Sequence, residues 1–187
     1  MDFADKVTPH IKRRLHFVGH STAAVAVLDY LLTNGDSIFD RVVLAAPLVH
    51  CSAWRLSRIG CHDKNRLVKS VPRVFRKNSS DAEFLDFIKN KDRLQIRTIP
   101  LKWVRALHKW NDKIINLQPC GKKVKIIQGT SDKTVDWRFN IRFIQEKFSN
   151  AEVSLIENAD HELFNESADM RNEIFSQIKS YFDHTEF

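Results

Sequence analysis

The sequence predicts an α/β fold, a parallel sheet covered by helices on both faces and interrupted once by a long helical insertion. Three observations lead there. Short apolar runs alternate with longer stretches of helical period, and strands joined by helical crossovers run parallel because parallel neighbours need long connections. Residues Val42 to Val49 are continuously apolar, the pattern of a strand buried on both faces rather than on one. Between about Leu48 and Asn116 the alternation lapses, and after Gly121 it resumes with the same strand–helix order.

The elements follow in turn. LHFV (15–18) is a first strand, leading through Gly19, His20 and Ser21 into a helix over Thr22 to Leu32 that Asn34-Gly35 terminates. Arg41 to Ala46 is a second strand. The insertion then carries higher charge density and no strand-like run. Within it Phe84, Leu85, Phe87 and Ile88 fit one helix face, and Trp103, Leu107, Trp110 and Ile114 are spaced four, three and four apart behind Pro100, a residue suited to the start of a helix. KVKIIQ (123–128) is the third strand, Trp137 to Phe148 a helix with Phe139, Phe143 and Ile144 inward, and EVSLI (152–156) the fourth strand. Met170, Ile174, Ile178 and Phe182 mark a closing helix. The domain organisation expected is core (1–47), helical cap insertion (48–116) and core again (117–187).

In parallel α/β sheets the reactive residues gather at the carboxyl ends of the strands. Ser21, Asp132 and His161 occupy those ends after the first, third and fourth strands. Gly19-His20-Ser21-Thr22-Ala23 approximates the G-x-S-x-G nucleophile elbow, with Ala23 in the last small position. A nucleophile on a tight strand-to-helix turn is held in a strained backbone, so the residues two places either side must be small. The same turn points the backbone N–H of Thr22 outward at a helix N-terminus, where it can donate to a developing oxyanion. A serine hydroxyl needs a base to take its proton; His161 is the candidate, and Asp132 the carboxylate that would fix its tautomer. Asp136 is the rival acid, read here as the cap of the helix at Trp137, and the plain alternative for Ser21 is an N-cap serine. His20 is read as packing beside the elbow. His50, His62 and His108 have no ligand-like spacing, and Trp54, Trp103 and Trp110 are read as packing residues, with an acyl-binding groove as the alternative.

The chain resembles the carboxy-terminal part of an α/β-hydrolase of the monoglyceride lipase, lysophospholipase and serine aminopeptidase-like group. GHSTAAVAVLDYLL resembles the elbow and its helix, KVKIIQGTSDKTVD the strand and loop bearing the acid, and LIENADHELFNES the histidine loop. The order Ser, Asp, His and the separations of 111 and 29 residues suit that group. The resemblance implies a partial α/β-hydrolase fold and a serine hydrolase of carboxylic esters, lysophospholipase- or monoacylglycerol lipase-like, working through an acyl-enzyme with no cofactor or metal. It departs at Ala23, where glycine is usual, and in the length before the nucleophile, which is twenty residues here and far longer in the group. The expectation is therefore an incomplete sheet whose first strand lies at an open edge. The second reading is a truncated, inactive remnant, or a split subunit completed by a partner chain.

Composition narrows the remaining classes. The 43% hydrophobic and 28% charged fractions are those of a globular protein, and no apolar run approaches the ~20 residues of a membrane span. MDFADKVTPH lacks the apolar region of a secretory signal, so a cytoplasmic location is expected, peripheral to a membrane at most. Cys51, Cys61 and Cys120 are too few and too scattered for a disulfide framework or a zinc site. Of a net charge of +7, all falls between Arg55 and Lys77, where Arg55, Arg58, Lys64, Arg66, Lys69, Arg73, Arg76 and Lys77 oppose only Asp63. Such a patch attracts anionic membrane surfaces; no nucleic-acid motif accompanies it.

Overall fold

The computed structural model describes residues 15–35, 37–62 and 68–183. In chain order the elements are β1 (Leu15–His20), α1 (Thr22–Asn34), β2 (Phe39–Ala45), α2 (Trp54–His62), β3 (Ser70–Pro72), α3 (Ala82–Asp86), β4 (Thr98–Pro100), α4 (Leu101–Ile114), β5 (Val124–Gly129), α5 (Trp137–Lys147), β6 (Ala151–Ile156) and α6 (Ala168–Asp183). Four strands pair in the order β1-β2-β5-β6, all parallel. The register sets His20 beside Ala45, Ala45 beside Ile127, and Gly129 beside Ile156. The carboxyl ends of all four strands therefore finish at one edge of the sheet, and every loop that follows them opens on the same side.

Alternation along the strands sorts the core into two layers. Val42, Leu44, Val124 and Ile126 face Ala24, Val27, Leu28 and Leu31 of α1 and Phe143 and Ile144 of α5. Val43, Ala45 and Ile127 face the opposite way, against Leu163 and against Ile174, Ile178 and Tyr181 of α6. Two covered faces explain why β2 reads as an unbroken apolar run. Among the described residues β1 pairs only with β2, and Val18 on it is 40% exposed.

The insertion is helical apart from β3 and β4, two three-residue strands paired antiparallel. Neither shows in the sequence, since each is too short to display a period and each carries a proline. The face of Phe84 to Ile88 is also broken: Ile88 is buried while Phe87 is 48% exposed. A π-helical turn over Phe87–Lys91 follows α3, and its extra residue per turn rotates the stripe out of phase. On α4 Trp103 points outward and Ile114 inward, but the deeply buried face also holds His108 and Asn111.

Those two polar residues belong to a stack that seats the insertion on the core. Phe139, His50, Trp54 and His108 lie ring on ring, with centroids 3.7, 3.8 and 4.3 Å apart along the column. The His50 ring bonds Asn111 Oδ1 at 3.1 Å and the His108 ring bonds the Ser57 hydroxyl at 3.0 Å. Beneath it Asn140 of α5 uses its whole amide on the chain leaving β2, donating to Pro47 and His50 carbonyls and accepting the His50 N–H. Trp54 is thus packed in the column, and Trp110 donates to Asp29 of α1. Packing roles therefore fit Trp54 and Trp110, whereas Trp103 is exposed.

Burial in this column, offset in part by the bond to Asn111, lowers the His50 pKa from 6.5 to about 4. Between those values the unfolded chain takes up a proton that the folded one refuses, so stability present above pH 6.5 is lost as pH falls towards 4. His50→Phe keeps a ring in the column and removes the titration. Urea unfolding midpoints measured from pH 7 to pH 4 should fall more steeply for the wild type than for this variant; parallel curves would contradict the assignment.

Candidate functional site

Three loops at the carboxyl edge of the sheet bring Ser21, Asp132 and His161 together. Ser21 follows β1 directly, and its backbone lies at φ 53°, ψ −110°, a left-handed conformation that costs a side-chain-bearing residue about 1–3 kcal/mol. Three backbone bonds hold it there. Its N–H donates to Ala45 of β2 at 2.9 Å, and its carbonyl accepts from Val25 in α1 (3.4 Å) and from Leu48 beyond β2 (3.2 Å). Ser21 sits at the N-cap of α1, yet its hydroxyl makes no capping bond. It bonds instead to His161 Nε2 at 3.0 Å.

The flanking small residues have distinct reasons. A Cβ on Gly19 would stand 2.8 Å from the Ala24 nitrogen and from a ring carbon of Phe17, so the turn closes only with glycine there. Ala23 is exposed, which is why its methyl is accommodated where glycine is usual. Thr22 is the first residue of α1, where backbone N–H groups have no partner within the helix.

Asp132 lies three residues beyond β5 with its side chain buried. Oδ1 accepts the N–H groups of Thr134 (2.7 Å) and Val135 (3.2 Å), and Oδ2 accepts from Gln128 Nε2 (3.0 Å) and His161 Nδ1 (2.8 Å). Burial pushes its pKa up, but the bond and charge of His161, then Gln128 and Thr134, prevail and hold it below the usual carboxylate value. An ionised Asp132 accepts, so His161 carries its proton on Nδ1. That leaves the Nε2 lone pair directed at the Ser21 hydroxyl. Asp136 is occupied elsewhere, capping α5 through the Phe139 N–H.

The histidine loop is fixed from behind. His20 donates from Nε2 to the His161 carbonyl at 2.8 Å, with its ring 5.0 Å from that of His161 and 5.6 Å from Phe164. Burial leaves its pKa below the ordinary value; the bond to the His161 carbonyl opposes that shift, and the neighbouring His161 ring adds to it. Gly129 makes the loop's approach to β5 possible: a Cβ there would lie 2.3 Å from the Ala159 carbonyl oxygen and 2.5 Å from that of Asp160. Gln128 shows in the sequence only as a polar residue closing an apolar strand, whereas Gly129 opens the G-x-x-D run that leads to Asp132.

The basic segment lies apart from these three residues in sequence. Arg58 pairs with Asp112 at 2.9 Å, Arg76 reaches the Lys133 carbonyl at 3.5 Å, and Arg55, Lys69, Arg73 and Lys77 are exposed. Lys64, Arg66 and the side chains of Cys61 and His62 lie outside the described residues. Among the described residues no three His, Cys, Asp or Glu side chains cluster as a metal site, and no helix is long and apolar enough to cross a membrane.

The chain matches the family model "Serine aminopeptidase, S33" over residues 2–168. Among solved structures it is similar to a monoacylglycerol lipase from Paleococcus ferrophilus, with 16% identity, a TM-score of 0.76, and coverage of 97% of this chain and 73% of that one. A soluble variant of monoglyceride lipase from Saccharomyces cerevisiae, bound to a substrate analogue, gives 18% identity, a TM-score of 0.79, and coverage of 98% and 66%. Mouse alpha/beta hydrolase domain-containing protein 10 gives 14%, 0.61, 96% and 66%. The chain thus spans about two thirds of the length of these structures. No functionally curated protein matches it by sequence.

Gly129→Ala should lower the unfolding free energy by about 1–3 kcal/mol, the usual cost of forcing atoms into a closed site, because backbone rather than a flexible side chain blocks the methyl. Gly121→Ala, where no atom lies within 4 Å of the added Cβ, should leave it unchanged. Denaturant titration of the pair checks the claim, and equal stabilities would refute it.

Proposed function

On the premise that the chain belongs to the serine aminopeptidase, S33, family and has the α/β-hydrolase fold, we propose that it is a serine hydrolase of carboxylic esters acting on lysophospholipid or monoacylglycerol. The observation that carries this reading is the continuous chain of bonds from Ser21 Oγ through His161 to Asp132, 3.0 and 2.8 Å long.

In the proposed reaction His161 Nε2 takes the Ser21 hydroxyl proton as Oγ attacks the acyl carbonyl, and Asp132 stabilises the imidazolium without itself becoming protonated. The Thr22 N–H stabilises the charge growing on the carbonyl oxygen. The alcohol leaves with the proton from His161, and the same histidine then activates water to release the acid from the acyl-enzyme. The strained Ser21 backbone serves this by aiming the hydroxyl away from α1 and towards the imidazole.

Two features support a lipid substrate. The solved structures similar to this chain include monoacylglycerol and monoglyceride lipases. The insertion also exposes Leu56, Val74, Leu94 and Ile96, at 74, 72, 91 and 62%, on the segment that carries the exposed Arg55, Lys69, Arg73 and Lys77. Apolar side chains beside cations suit the boundary of an anionic bilayer, where both gain.

A fluorophosphonate probe should label the purified chain and should not label Ser21→Ala. Asp132→Asn should slow labelling by about 10⁴-fold, the scale set when a serine hydrolase loses the carboxylate that fixes its histidine tautomer. A folded wild type that takes no label would overturn the proposal in favour of an inactive or split-subunit role. For the membrane surface, the triple variant Lys69→Glu, Arg73→Glu, Lys77→Glu should lose sedimentation with phosphatidylserine vesicles, and unchanged binding would sink that part of the reading.

A further inference from the structure

Glu166 is wholly buried, an expensive place for a carboxylate unless donors surround it. Its donors come from two segments far apart in sequence. Oε1 accepts the Asp160 N–H at 2.6 Å, and Oε2 accepts the Ser80 N–H at 2.6 Å together with the Ser80 hydroxyl. Ser80 belongs to the insertion, and Asp160 immediately precedes His161.

Further bonds draw the same two segments together. The Ser79 hydroxyl donates to the Asn165 carbonyl at 2.5 Å, the Asn78 carbonyl accepts the Glu162 N–H at 2.8 Å, and the Ser80 hydroxyl accepts the Ser167 N–H at 3.0 Å. The three residues Asn78 to Ser80 thus close over the loop from Asp160 to Ser167. On the other side of His161, its carbonyl is held by the His20 ring and the Leu163 N–H. Glu166 holds the Ala159–Asp160 peptide, one residue before His161; His20 and Leu163 hold the peptide leaving it.

We propose that Glu166 is a positioning residue that sets the imidazole of His161 opposite Ser21 and makes that setting depend on residues 78–80 of the insertion being seated. This rests on the reading of His161 as the base. Glu166 touches neither Ser21 nor the imidazole in this arrangement; it acts through the backbone. A change in the insertion that lifts Ser80 removes two of the three donors to a buried carboxylate, and the Asp160 peptide loses its anchor with them. Movement of the insertion and competence of the base are thereby linked without any contact between the insertion and the imidazole.

Glu166→Gln tests this, because the amide oxygen can still accept from Asp160 while the amide nitrogen cannot accept from Ser80. Ser80→Ala is the milder companion, since it retains the backbone donor and folds if the first variant does not. Two readouts are taken on the full chain: fluorophosphonate labelling, resolved into its saturating rate and half-saturating concentration, and the downfield proton resonance of the His161–Asp132 hydrogen bond. Glu166→Gln should lower the saturating rate by about 100-fold, the scale of a misplacement of about 1 Å, with the half-saturating concentration within about twofold of wild type, and should shift or broaden the resonance. Ser80→Ala should move both the same way by less. A resonance unmoved in both variants overturns the proposal, whatever the labelling. A resonance that moves in a protein whose wild type takes no label would keep the positioning role and discard the catalytic reading.

Discussion

Three hydrogen bonds to the backbone of one residue hold the arrangement on which the rest depends. Ser21 is tied through its N–H to Ala45 and through its carbonyl to Val25 and Leu48. These bonds join the first strand, the second strand and the helix between them at a single strained peptide. The strain at φ 53° persists because all three partners are themselves fixed, Ala45 within the sheet, Val25 in the first turn of a buried helix, and Leu48 in a buried cluster with Val25 and Val135. Loosening any one would let the turn relax towards an ordinary helix start, with the serine hydroxyl free to cap its own helix as an unstrained N-cap serine does.

Parallel register then does for the site what no single loop could. With the strand ends level, the acid loop and the histidine loop need only a few residues each to reach the serine. Their short span leaves little room for error. Gly129 has to be glycine because the backbone of the histidine loop occupies the space a side chain would take. Asp132 is surrounded by four donors so that a buried charge is matched and the orientation of His161 is unique.

The parts of this arrangement that speak in sequence are those whose chemistry is local. The elbow, the acid loop and the histidine loop each lie within a dozen residues, and the apolar runs of the four strands stand clear of their neighbours. What stayed hidden was polar and buried. Asn140 carries no period and no motif, and Glu166 lies inside the histidine segment without a legible role, because their partners are 90 and 86 residues away and only the fold supplies them. The inward face of α4 is likewise half apolar and half His108 and Asn111, so a count of apolar spacing alone put Trp103 on the wrong side. The strands β3 and β4 were lost for a simpler reason, being three residues each.

The pairing of β2 with β5, registered from Val42–Val124 to Ala45–Ile127, divides the core into two pieces, each continuous in the chain and each carrying its own strands and helices. Everything between them is a loop in the polymer sense, whose closure entropy grows only with the logarithm of its length; doubling it costs about 0.6 kcal/mol. An insertion at this point can therefore be lengthened, shortened or exchanged at small cost to the sheet, provided its return passes the histidine loop with residues able to bond there. Variation in what this architecture accepts is cheapest to write in that segment, and the three residues Asn78 to Ser80 are the portion of it least free to drift.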